Sequence, residues 1–144
     1  MAKENSRLME IMFDTSTDRG KVSGTELTDT ANSSMVNTHG AKGGIFWLKA
    51  IVSTGDTVDV TIEGYDQIQG AWTALAAAVG GDRAYAFAQC TAGTTSDQLT
   101  VYPGLTGVNN QTINGVLPEI IRAVATVGGS SEDIDLTLGV DLIK

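Results

Sequence analysis

His39 is the only histidine in the chain, so it decides which imidazole chemistry the sequence can support. A histidine-based zinc site or a Ser-His-Asp triad would rest on it wholly. It lies in His39-Gly40-Ala41-Lys42-Gly43-Gly44, with no second metal-ligand type beside it, so a loop role is expected. Paired carboxylates come next. Asp133 with Asp135, and Asp59 with Glu63, would each share one face of a strand. Two carboxylates can act as acid and base when their surroundings push their pKa values apart. Both pairs alternate with apolar residues, which places them on a solvated face. Glu132, Asp133 and Asp135 offer oxygen ligands of the kind Ca²⁺ takes, without EF-hand spacing.

The remaining candidates read the same way. Cys90 is the single cysteine, so no intramolecular disulfide forms, and the run Ala84-Tyr85-Ala86-Phe87-Ala88-Gln89-Cys90 suggests a buried thiol in a strand. Lys42-Gly43 resembles the end of a phosphate-binding loop but lacks the preceding glycine spacing and a hydroxyl residue after the lysine. Trp47, Tyr65, Trp72, Tyr85 and Tyr102 could form an aromatic platform for sugars, provided that Tyr65 and Trp72, which flank one hairpin, are exposed together; aromatics scattered through β domains more often pack. The expectation is therefore no enzyme, no cofactor and no metal: a protein whose product is a surface.

Hydropathy shows what would carry that surface. Ile134, Leu136, Leu138, Val140 and Leu142 alternate with Asp133, Asp135, Thr137, Gly139 and Asp141. A period of two marks a strand with one dry and one wet face. Val58, Val60 and Ile62 repeat the pattern. Ile45 to Val52 is nearly continuous apolar, broken by Lys49, and reads as a strand buried on both faces. Further strands are expected over Arg83–Cys90, Asp97–Tyr102 and Ile120–Val127, and one is allowed near Thr25–Ala31. Ala74–Val79 fits either a short helix or a strand end. Turns fall at Thr54-Gly55-Asp56, Asp66–Gly70, Gly80-Gly81-Asp82, Pro103-Gly104 and Gly128–Ser131, and Leu105–Asn114 reads as a long polar loop. About eight strands at regular spacing with short connections imply an all-β fold, an antiparallel sandwich or jelly-roll-like barrel.

The chain of 144 residues suits one domain, and its apolar share of 42% suffices for a core. Its formal net charge of −8 argues against nucleic acid and against anionic membranes as partners. No apolar run approaches the ~18 residues of a membrane span, and residues 1–6 carry no signal-like apolar core, so synthesis in a cytoplasm is expected. Basic residues concentrate early: residues 1–43 hold five basic and six acidic side chains, and residues 44–144 hold four and eleven. Arg7 to Phe13 alternates weakly, with Met9, Ile11 and Phe13 on one side. Residues 1–20 thus read as an N-terminal arm that becomes ordered on a partner, and residues 21–144 as one β domain.

Several stretches carry a family resemblance. Thr30-Ala31-Asn32-Ser33-Ser34 and Lys42-Gly43 lead into an apolar strand. Thr61-Ile62-Glu63-Gly64-Tyr65-Asp66 is followed by Gly70-Ala71-Trp72-Thr73-Ala74-Leu75. Val101-Tyr102-Pro103-Gly104-Leu105-Thr106 precedes Asn114-Gly115-Val116-Leu117-Pro118, a strand carrying Arg122, and the closing Gly139-Val140-Asp141-Leu142-Ile143. In this order, over about residues 28–144, the chain resembles small tailed-phage virion structural proteins of the all-β head decoration (cement) type. It departs from the family's pattern at Glu119-Ile120, where an Arg and an aromatic are expected.

The resemblance implies a protein that binds the outer surface of the major capsid shell and stabilises it, as a homotrimer in the virion after synthesis in the host cytoplasm. A neck or tail virion protein and a carbohydrate-binding adhesion module are the alternatives. No catalytic residue carries over. The side chains expected to meet the partner are Arg7, Met9, Ile11, Phe13 and Lys42.

Overall fold

The computed structural model describes residues 9–14, 30–77, 84–129 and 134–144. These residues form ten strands and no helix: β1 (Glu10–Asp14), β2 (Ala31–Asn32), β3 (Val36–Asn37), β4 (Gly43–Val52), β5 (Thr57–Asp66), β6 (Ala71–Ala74), β7 (Gly93–Tyr102), β8 (Thr112–Asn114), β9 (Ile120–Gly128) and β10 (Ile134–Ile143). The front sheet has the order β1-β10-β4-β7-β8. The back sheet has the order β2-β9-β5-β6, with β3 also paired to β9. The all-β sandwich expected from alternation is the fold. Pairing is antiparallel except between β7 and β8, which run parallel.

Alternation sets the core. Ile134, Leu136, Leu138 and Val140 of β10 face inward against Phe46, Leu48, Ala50 and Val52 of β4, and all are buried. Val58, Val60 and Ile62 of β5 supply the opposing layer with Ile121, Ala123 and Ala125 of β9. Where β2 and β3 are too short to complete a ladder, hydroxyls take over. Ser33 Oγ accepts from Ala123 N–H at 2.8 Å, and Thr38 Oγ1 donates to Pro118 O at 2.8 Å. Both polar side chains are thereby buried without an unmade bond.

Three segments differ from expectation. Ile45–Val52 is not buried on both faces: Trp47, Lys49 and Ile51 point to solvent while Phe46, Leu48, Ala50 and Val52 point inward. Among the described residues no helix covers the front sheet's outer face, and this central strand stays wet on one side despite its apolar run. Residues 84–90 are not a regular strand. They follow the free edge of β5, with bridges at Ala86 to Thr61 and Cys90 to Val58, a spacing of four residues against three. That mismatch bulges the segment, yet still turns Tyr85, Phe87 and Cys90 into the core. Residues 10–14 of the expected arm are β1, an edge strand of the sandwich paired to β10. Residues 1–8 and 15–20 of that arm lie outside the described residues.

The block that carried the resemblance closes on itself. Gly104 N–H donates to Asn114 Oδ1 at 2.7 Å, and Thr112 Oγ1 donates to Thr106 O at 2.7 Å. The loop after β7 is thus tied to β8, and Leu117 N–H reaches Lys42 O.

Candidate docking face

The outer face of the front sheet gathers apolar side chains that the core does not use. Along β4, Ile45, Trp47, Lys49 and Ile51 line its middle. Trp47 is 42% exposed and Ile51 44%. The β10 residues opposite them are small or short: Asp141, Gly139, Thr137 and Asp135. On the far side, β7 contributes Thr100, Gln98, Ser96 and Thr94.

Gly139 shapes this face. It pairs with Trp47 on one side and Ile11 on the other. A Cβ there would run into Met9, meeting its Cγ at 2.7 Å. The glycine therefore lets the Met9 thioether lie down on the sheet beside Trp47. Met9, Ile11, Trp47, Gly139 and Lys49 then border an open trough of about 460 Å³ with mainly apolar walls. Met9, Trp47 and Ile51, three of the large apolar residues exposed among the described residues, stand on this one face. An exposed apolar patch of this kind, rimmed by polar residues, marks an interaction site. Lys49 is the cation within it.

The expected partner residues divide. Met9 and Ile11 are brought together here. Phe13 is not: it is fully buried, as is Met12, and it pairs with Leu138 inside the core. A register shift between Ile11 and Phe13 turns both Met12 and Phe13 inward, so Phe13 gains its burial within its own chain. Lys42 is exposed but stands at the end of the sheet, where its N–H donates to Ile143 O. Arg7 lies outside the described residues. Trp47 and Ile51 were missed, because an apolar run was read as burial on both faces. Lys49 was the available signal: a lysine two residues from each, in the same parity, marks their face as wet.

The other chemical candidates resolve as structure. Tyr65 and Trp72 do not form an exposed platform. Their rings meet edge to face at 5.3 Å, both half-buried, and the Arg122 guanidinium lies 4.4 Å from the Trp72 centroid. Arg122 Nε also donates to Glu63 Oε1 at 2.8 Å. Asp59, the other member of that carboxylate pair, accepts from Gln89 Nε2 at 3.0 Å. Asp133 lies outside the described residues, and among the described residues no three metal-ligating side chains converge. Cys90 is buried, and burial pushes its thiol above the ordinary value, helped by Asp97. Tyr85 is raised likewise by burial, against the opposing effect of its bond to Val116 O. His39 takes a turn conformation with φ 49°.

In comparisons with known proteins, no family model, no curated protein and no solved structure matches this chain.

Proposed function

We propose that this chain is a tailed-phage head decoration (cement) protein that binds the outer surface of the major capsid shell through the outer face of its front sheet. The observation that carries the reading is the apolar stripe of exposed Met9, Trp47 and Ile51 with half-buried Ile11 on the outer face of the front sheet. Cementing needs many small contacts on a broad surface, and this face offers them. Burying Met9, Trp47 and Ile51 fully would each add roughly 1–2 kcal/mol beyond their present half-burial. That sum is worth several powers of ten in affinity before the costs of association. The family resemblance over about residues 28–144 supports the same reading, and with it the virion location and a homotrimer. The sugar-binding alternative loses its support, because the Trp72 ring is capped by Arg122.

The test is co-sedimentation of purified protein with bare shells of the phage that encodes it, followed by thermal release of DNA. Full-length protein should sediment with the shells and raise the release temperature. Trp47→Asp should weaken sedimentation at least tenfold while melting like the wild type. Wild-type protein that ignores shells, and instead accompanies tails or is retained on a glycan column, overturns the proposal.

A further inference from the structure

Asn114 is the one asparagine in the chain that a glycine follows. Asparagine is a chemically labile side chain, and most so before glycine, where no Cβ shields the next amide nitrogen. Packing imposes both residues of this pair. Asn114 Oδ1 accepts from Gly104 N–H at 2.7 Å, which ties the loop after β7 to β8. Gly115 lies against Tyr85: a Cβ there would run into the tyrosine hydroxyl and come within 3.1 Å of its Cζ. Tyr85 has little room to retreat, because it is buried in the core and its hydroxyl donates to Val116 O at 2.9 Å. Asn114 itself is exposed, so water reaches it.

The reaction open to this pair needs only water. The Gly115 nitrogen gives up its proton to hydroxide and attacks Asn114 Cγ. A bond forms between that nitrogen and Cγ, the Cγ–Nδ2 bond breaks, and ammonia leaves after taking a proton from water. Water then opens the five-membered imide at either carbonyl, giving aspartate or an isoaspartate whose backbone runs through the side-chain carbon. Ring closure requires the Gly115 nitrogen to swing beneath Asn114 Cγ, a rotation about ψ that leaves the extended region of a paired strand. Several contacts oppose that rotation. Asn114 pairs with Tyr102 in the parallel β7–β8 ladder. Gly115 N–H donates to Tyr102 O at 3.4 Å. The bond from Gly104 holds the side-chain amide on the loop instead. Yet the latch is local. β8 has three residues and ends the front sheet, with β7 as its partner strand. An edge element held by so few contacts opens at lower free energy than the whole domain.

We propose that Asn114 is a modification site of this chain, one that deamidates spontaneously when β8 parts from β7. The fold is the brake, and the edge strand is its release. The isoaspartyl product lengthens the backbone of a three-residue strand, so it does not restore the β7–β8 register. The inference does not rest on the shell-binding reading.

The test uses the full chain. Wild-type protein is incubated in mildly alkaline buffer with and without denaturing urea. Peptide masses then report amide-to-acid conversion, and an isoaspartyl methyltransferase reports the isomer. The Asn114 peptide should convert first among the asparagine peptides in urea, and at least tenfold more slowly in buffer. Thr112→Val removes the hydroxyl that donates to Thr106 O and accepts from Val108 N–H, which loosens β8 without touching Asn114. This variant should convert severalfold faster than wild type in buffer and at the same rate in urea. Equal wild-type rates in buffer and urea, another asparagine converting first in urea, or a folded Thr112→Val protein no faster than wild type in buffer each overturns the proposal. The wild-type comparison decides the matter even if the variant fails to fold.

Discussion

Truncating Phe13 to alanine decides whether the first strand belongs to the domain or to a partner. Phe13 is fully buried opposite Leu138, and its neighbour Met12 is buried too, its carbonyl accepting from Ser34 N–H across the edge between the sheets. Transfer of a phenylalanine side chain into the core is worth ~2–3 kcal/mol. Removal leaves a cavity as well, which brings the expected loss to ~3–5 kcal/mol. Against a total stability of roughly 5–15 kcal/mol for a domain, that is a large fraction. At roughly 2–4 °C per kcal/mol for a domain of this size, the melting temperature should fall by ~6–20 °C. The urea midpoint should fall in parallel with an unchanged slope. Met9→Ala is the control: Met9 rests on the surface over Gly139, so its loss should stay within about 0.5 kcal/mol. Circular-dichroism melts of the two variants and wild type make the comparison. A Phe13→Ala protein melting within about 2 °C of wild type would show that β1 adds nothing to the core, and the register at Phe13 would be wrong.

Other perturbations probe the rest of the molecule. Leu138→Ala, mid-strand and fully buried, should cost ~2–5 kcal/mol by urea titration; a midpoint equal to wild type would contradict the inward register of β10. Gly139→Ala should leave melting nearly unchanged, because the flexible Met9 side chain can move aside, yet it should weaken shell binding by lifting Met9 off the sheet; binding equal to wild type would remove Met9 from the contact. Burial raises Cys90 above 9.0 and Tyr85 above 10.0, so the unfolded chain loses these protons first. Their contribution to stability is complete below about pH 9 and declines as pH rises through the folded values. Urea midpoints from pH 8 to 11 should therefore fall, and a midpoint that rises over that interval would refute the assignment. In the same buffers, Cys90 should react with an aromatic disulfide far more slowly in native protein than in urea.

The parts of the fold that were legible in the sequence are those where alternation alone sets the outcome. β5, β9 and β10 lie where period two puts them, because each has one face on the core and one in water. β4 was misread, since a central strand can be apolar for two reasons: burial on both faces, or burial on one and docking on the other. Periodicity does not separate these, and only Lys49 carried a hint. Residues 84–90 were half legible: Tyr85 and Phe87 share the inward face as their spacing suggests, but the bulge at the β5 edge depends on a long-range register no local pattern encodes. Phe13 failed for a related reason. Met9, Ile11 and Phe13 share parity in sequence, but the register shift after Ile11 breaks that parity and sends Phe13 inward with Met12. The two halves of the Tyr102–Thr106 and Asn114–Pro118 block could be recognised as a unit, yet their tie through Asn114 and Gly104 appears only in three dimensions.

That register shift links fold to surface. By turning Met12 and Phe13 into the core, it anchors β1 at the sheet edge while leaving Ile11, and Met9 just before the strand, on the outer face. The anchored half holds the exposed half in place over Gly139 and beside Trp47. A free arm would have to lose its conformational freedom on binding, at a cost of roughly 1–2 kcal/mol per backbone residue. Here the folding of the sandwich has already met that cost for residues 10–14. Were this face the docking face proposed above, the burial of Met9, Ile11, Trp47 and Ile51 on a partner would not be offset by the ordering of their own strand. On the proposed function, weakening the anchor at Phe13 should therefore weaken shell binding as well as stability, although Phe13 is itself buried within its own chain.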